Sequence, residues 1–205
     1  MSRGDASDSL APRTPSLSYA RNYALAALMC LDTARLPSRL SGEGNLLSLI
    51  EQDRSVWDQQ LIDEGAQFLA RSATGTELTE YHIEAAIALI HAAAPRVEDT
   101  DWSQIVSLYD QLSAISPTPV VALNRAIAIG QYEGPESGLH EIRAILDTKR
   151  LARYPFYFVA NGEFELRRGM RETARRHFQT ALSLARNQME HRFIDGRVRA
   201  CQIGG

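Results

Sequence analysis

The feature that most constrains this 205-residue chain is a step of 36 residues in its C-terminal half. Counting 36 from Ala122, Ala126, Gly138, Ile142 and Ile145 lands on Phe158, Gly162, Ala174, Phe178 and Ala181. Within each set the gaps are 4, 12, 4 and 3 residues. Small residues recur where two helices would approach closely, and large ones where they would interlock. Upstream, Ile105, Tyr109, Leu112 and Pro117 match the second half of the same unit.

Those gaps are the spacing of signature positions in a tetratricopeptide helix pair, whose usual period is about 34 residues. Two and a half units are visible, near the minimum of about three for a stable stack. The spacing therefore predicts an all-α chain of tetratricopeptide-like helical hairpin repeats, a right-handed α-solenoid. The rest of the chain also reads as helix. Tyr23, Ala26, Ala27, Cys30 and Leu31 recur at helical steps from Tyr19 to a stop before Pro37. A second helix is expected from Leu46 to Ala70, and a third carries Ile83, Ala86, Ile87 and Ile90 and ends before Pro95. No alternating β-branched run intervenes. The expected organisation is a polar leader over 1–18, one helical-repeat domain over 19–200 (N-terminal helices 19–95, repeats 101–200), and a frayed end over 201–205.

Composition narrows the functions. A hydrophobic content of 44% supports a buried core, and a formal net charge of −3 lacks the basic footprint of an isolated nucleic-acid binder. Cys30 and Cys201 support neither a disulfide framework nor a cysteine zinc site, so a reduced cytoplasmic protein is expected. The N-terminus has no apolar signal region. The run Ala24–Leu31 falls short of the roughly 20 residues that span a bilayer.

Candidate chemistry was tested motif by motif. In "EDTDWSQIVSLYDQL", residues 98–112, Asp101 and Gln104 have capping-box spacing, with Trp102 packing across the helix entry. Glu51, Asp53, Arg54 and Asp58 crowd one stretch beside Trp57, with Arg54 and Asp58 at ion-pair spacing on a solvated or inter-helix ionic face. His82 and Glu84 open a zinc-deaminase signature whose remaining ligands are missing. The five histidines read as solvated or capped. No phosphate loop and no nucleophile elbow is present. Neither an enzyme, nor a metal, nor a cofactor is expected. Arg168, Arg171 and Arg175 share a side of the one arginine-rich region, either the wet face of a terminal repeat or a patch for an acidic partner.

Five blocks then carry a family resemblance: "ALAALMCLDTARLPSR", "LIEQDRSVWDQQLIDEG", "AAIALIHAAA", "EDTDWSQIVSLYDQL" and "SPTPVVALNRAIAI". In order and without a large gap, from about Tyr19 to Phe193, the chain resembles the C-terminal tetratricopeptide-like extension of a family of bacterial extracytoplasmic-function sigma factors. Members normally begin with sigma domains two and four, which bind core RNA polymerase and read the promoter. Only 18 residues precede the first matched helix, so this chain is not expected to read a promoter or initiate transcription alone. The resemblance implies a domain that supports or regulates sigma activity by contacting the sigma core or RNA polymerase. It marks Glu51, Gln52, Asp53, Arg54, Trp57, Asp99, Asp101, Trp102, Asn124 and Arg125 as partner-binding or architectural positions. Trp57 and Trp102 read as core anchors, while Asn124 and Arg125, on the first helix of a repeat unit, are the stronger choice for partner contact. The alternative is a freestanding peptide-groove adaptor unrelated to transcription.

Overall fold

A computed structural model describes residues 16–42, 44–74 and 78–202. Most of the polar leader, the break at Gly75 and residues 203–205 lie outside the described residues. The described chain is all-α, with ten helices packed in hairpin pairs and, outside them, one isolated antiparallel bridge between Leu40 and Leu46.

α1 (Ser16–Ala34) begins three residues before the expected start. It buries a seam of Ala20, Ala24, Ala27, Leu31 and Ala34. That seam is one step round from the expected stripe, because alanine carries little hydropathy signal yet permits close approach. α2 (Gln59–Ser72) comes so near that a Cβ on Gly65 would sit 2.7 Å from Leu31 Cγ. The helix expected to begin near Leu46 in fact begins at Gln59, where Asp58 caps it by accepting from the Leu61 N–H at 3.1 Å. The stretch before it is irregular apart from a short 3-10 turn over Arg54–Val56. Its polar side chains bond locally instead of leaving the backbone to a helix. Ser48 donates to Glu51 from both its N–H (3.0 Å) and its hydroxyl (2.6 Å), and Asp53 accepts from the Ser55 N–H at 2.9 Å.

α3 (Glu80–Ala93) stops before Pro95 as expected, and its start is capped by Thr79 and His82 acting on each other. α4 (Trp102–Ile115) starts at Asp101, which accepts from the Gln104 N–H at 2.9 Å. The second donor to that carboxylate is the Ser103 hydroxyl at 2.7 Å; Gln104 does not complete the box.

The step of 36 residues appears in the helix starts. α5 (Pro119–Tyr132) and α6 (Pro135–Ala144) are followed, after the short α7 (Thr148–Leu151), by α8 (Pro155–Arg167) and α9 (Arg171–Ser183). Pro119 to Pro155 and Pro135 to Arg171 are each 36 residues apart. Gly130 and Gly138 take the Phe164 ring between them, and Gly162 takes Phe178; a Cβ at Gly162 would lie 2.5 Å from that ring. α10 (Gln188–Ala200) covers α9 with Ile194 and Val198. Cys201 just beyond it is buried and donates to the Arg197 carbonyl, so that position is packed.

Gly162→Val should lower the unfolding free energy by about 1–3 kcal/mol, since a fully buried ring must move to admit the side chain. A urea midpoint equal to wild type would show that the Gly162–Phe178 approach does not matter.

Candidate functional site

The helix pairs surround a cavity of about 510 Å³. Its wall is mostly apolar and aromatic. α4 supplies Trp102 and Tyr109, α5 supplies Asn124 and Ile127, and α8 and α10 supply Phe156 and Phe193. The irregular segment Ser48–Glu51 lies along one edge. Helix walls with a loop at the rim are a common setting for ligand and peptide sites, and the volume falls within the roughly 300–1,000 Å³ of such pockets.

Arg167, bonded to the Gly130 carbonyl and Gln131, is one charged residue of this wall, and a three-residue ionic chain supplies the others. Arg197 on α10 donates from Nη1 to Glu51 at 3.2 Å and from Nη2 to Glu163 on α8. Its guanidinium also stands 6.0 Å from the Phe178 ring centroid. Burial pushes the Glu163 carboxyl up; Arg197 pulls it back down and Glu51 adds to the rise. Glu51 comes from 146 residues away in the chain, so this contact ties the first third of the molecule to its last helix.

What delivers Glu51 is Arg54. Its Nη1 donates to the carbonyls of His91 (2.9 Å), Ala94 (2.9 Å) and Arg96 (3.3 Å), the open end of α3. Its guanidinium carbon lies 5.4 Å from the centroid of the Trp57 ring. Trp57 is buried and donates from Nε1 to Ser38 Oγ at 2.6 Å. Gln52 bridges the same corner, accepting from Ser38 and donating to the Leu47 carbonyl. The expected Arg54–Asp58 ion pair is not formed, because the segment is not helical and each residue caps something else.

The other expected site residues divide between this groove and the frame. Trp102 and Asn124 line the cavity. Trp102 is half-buried, packed against the core of Ile83, Ile105 and Leu112 and edge-on to His91, with centroids 5.2 Å apart, so one face of this anchor also forms part of the wall. Arg125, one residue past Asn124 and thus about 100° round the helix, is outside the wall. It bonds Asp110 on α4 and Glu141 on α6, each at 2.6 Å. Asp99 pairs with Arg96 at 2.9 Å, while Asp53 and Asp101 are caps. Arg168 joins Glu136 and Glu165, and Arg175 joins Glu172. Arg171 opens α9 on the exposed side.

His82 meets the expectation of solvated or capped histidines as part of the Thr79 capping box, and His91 departs from it. His82 and His91 are both buried. His82 is held by Thr79, whereas His91 faces the positive charges of Arg54 and Arg35 after being stripped of water, and its pKa is pushed down to about 4. Arg197, Glu163 and His91 were not chosen from sequence as site residues. Arg197 did carry a signal: it occupies a stripe position between Ile194 and Val198, where an arginine must find a buried partner or a cavity. Among the described residues no group of three or more His, Cys, Asp or Glu is placed to hold a metal, and no helix is long and apolar enough to cross a membrane.

Residues 10–73 match the model of a family described as a family of unknown function, DUF6596. That stretch contains α1, the Glu51–Trp57 corner and the whole of α2. The chain is also homologous to the uncharacterized protein R00370 of Rhizobium meliloti (strain 1021), with 36% identity over 170 residues. The match covers 83% of this chain and 40% of that protein, so the chain spans well under half the length of its relative. No solved structure matches it.

Two outcomes test this corner. Arg54→Met keeps a stem beside Trp57 but leaves the α3 carbonyls without their cation, and should cost about 1–3 kcal/mol in chemical denaturation; Arg54→Lys should recover part of it. Because folded His91 titrates near 4 and an unfolded histidine near 6.5, the unfolded state binds the extra proton between those values. Stability should therefore fall by about 3 kcal/mol from this residue as pH drops from above 6.5 to below 4. Denaturation midpoints of His91→Gln across that window should lack this part of the slope.

Proposed function

We propose that this chain is a non-enzymatic interaction and regulatory domain of an extracytoplasmic-function sigma factor, acting in the cytoplasm through contacts with the sigma core or RNA polymerase. In this reading its hairpins form a tetratricopeptide-like, right-handed α-solenoid, and the groove is its partner-facing side. One observation carries it. The blocks that resemble the sigma-factor extension, around 51–57 and 98–112, supply Glu51 at one edge of the groove and Trp102, Ile105 and Tyr109 in its wall. The greater length of the Rhizobium meliloti relative leaves room for further domains beside the matched part of that protein.

The solenoid's contribution would be geometric. Stacked hairpins hold Asn124 and the aromatic wall on rigid helices, so a partner is met by a preformed surface with little ordering cost. Partner contact would stabilise or release the sigma core without this chain touching promoter bases.

Adding the purified chain to a sigma core that lacks its extension should restore promoter-dependent transcription in trans, or at least produce a complex resolved by size-exclusion chromatography. The absence of both effects would overturn the sigma reading. Recovery of a stable complex with a different protein, and none with sigma or polymerase, would give the groove to a freestanding peptide adaptor instead.

A further inference from the structure

One edge of the groove is formed by the irregular segment before α2. Along its edge runs the chain's own Leu49-Ile50-Glu51, two aliphatic side chains followed by a carboxylate on Arg197. Leu49 is packed into the N-terminal core, Ile50 remains 45% exposed at the rim, and only Glu51 makes an ionic contact.

The two carboxylates on Arg197 are unequal. Glu163 is built into α8 beside the cavity and accepts from Arg197 Nη2. Glu51 sits on an irregular segment, its side chain 39% exposed, and reaches Arg197 at 3.2 Å. Glu163 thus aims the guanidinium, while Glu51 covers the outer N–H that a partner would meet.

We propose that the groove docks a partner protein segment in which adjacent aliphatic residues precede an acidic one, and that its carboxylate replaces Glu51 on Arg197. The aliphatic side chains enter the wall of Trp102, Tyr109, Phe156 and Phe193, and Arg197 reads the acid. Glu51 then acts as an internal competitor, so the docking affinity is set partly by how readily it leaves. This rests on the interaction-domain reading above and names the chemistry of the partner.

The test uses the full chain and a peptide of residues 46–51, LLSLIE, amidated at its C-terminus and carrying an uncharged boron-dipyrromethene fluorophore on its N-terminus, so that glutamate is its only carboxylate. By fluorescence anisotropy, Glu51→Gln protein should bind this probe about fivefold more tightly than wild type, the worth of one half-exposed ion pair. Replacing the glutamate of the peptide by glutamine should erase that gain. Arg197→Gln protein should bind both peptides equally weakly, and if that variant does not fold, the peptide pair alone still decides. Equal binding of the glutamate and glutamine peptides to Glu51→Gln overturns the proposal, as does the absence of binding. Binding of decanoate with no peptide binding would assign the groove to a small amphipathic acid and also overturns it. The assay contains no sigma factor, so a correct peptide result beside a failed transcription assay would keep the groove chemistry and sink only the sigma reading.

Discussion

A helix that ends in front of a proline leaves carbonyl oxygens without backbone donors, and at the end of α3 the missing donor is a single guanidinium. Arg54 reaches back to the carbonyls of His91, Ala94 and Arg96. The energy of this contact is local, but its geometric effect is long-range. It pins an irregular stretch against a helix 37 to 42 residues away in sequence and so sets where Glu51, three residues earlier, must lie. Removing the cation would expose unpaired carbonyls and free the strap together. The partly buried charge also explains its neighbour, since a histidine crowded by Arg54 and Arg35 in a water-poor corner stays neutral and serves as a flat partner for Trp102.

Much of this frame is legible in the sequence because its signals are local. Pro37, Pro95, Asp101 and Pro119 punctuate helices by fixing dihedrals or accepting N–H groups, and those effects need no knowledge of the fold. The step of 36 residues works similarly, since small residues recur where helices approach closely, Ala126 and Gly138 in one hairpin and Gly162 and Ala174 in the next, and all four are buried. The stretch 46–58 was misread for an equally physical reason. LLSLI followed by charged residues imitates an amphipathic helix, whereas the outcome depends on Ser48, Asp53 and Asp58 satisfying nearby backbone groups and on Trp57 reaching Ser38. The groove lay further out of reach. Glu51 and Arg197 are 146 residues apart, and no pattern in either neighbourhood announces the other.

Charge placement explains why the arginine-rich C-terminal region is a poor guide to binding. Arg168 joins α8 to Glu136 on α6, Arg143 approaches the buried Glu165 at 3.7 Å, and Arg125 spans α4 and α6. The half-exposed pairs Arg168–Glu136 and Arg125 with Asp110 and Glu141 are worth only about 0–1 kcal/mol each, so they contribute little to stability. Their value is in register: apart from Arg125–Glu141, which closes one hairpin, they join residues on different hairpins and oppose sliding of one pair past the next. Arginines used in this way have few donors left for a partner.

Arg197 belongs to a different category because its surroundings are apolar. A guanidinium beside Phe178 and the cavity wall requires a counter-ion, and Glu163 supplies it at the expense of its own hydration, as the upward shift of its carboxyl shows. With that requirement met from within a helix, the remaining donor does not need Glu51 in order to stay buried. The contact between the irregular segment and α10 can therefore be exchanged without leaving an unpaired charge in the wall. The rigid hairpins supply the groove, and the irregular segment before α2 carries the acid that competes for it.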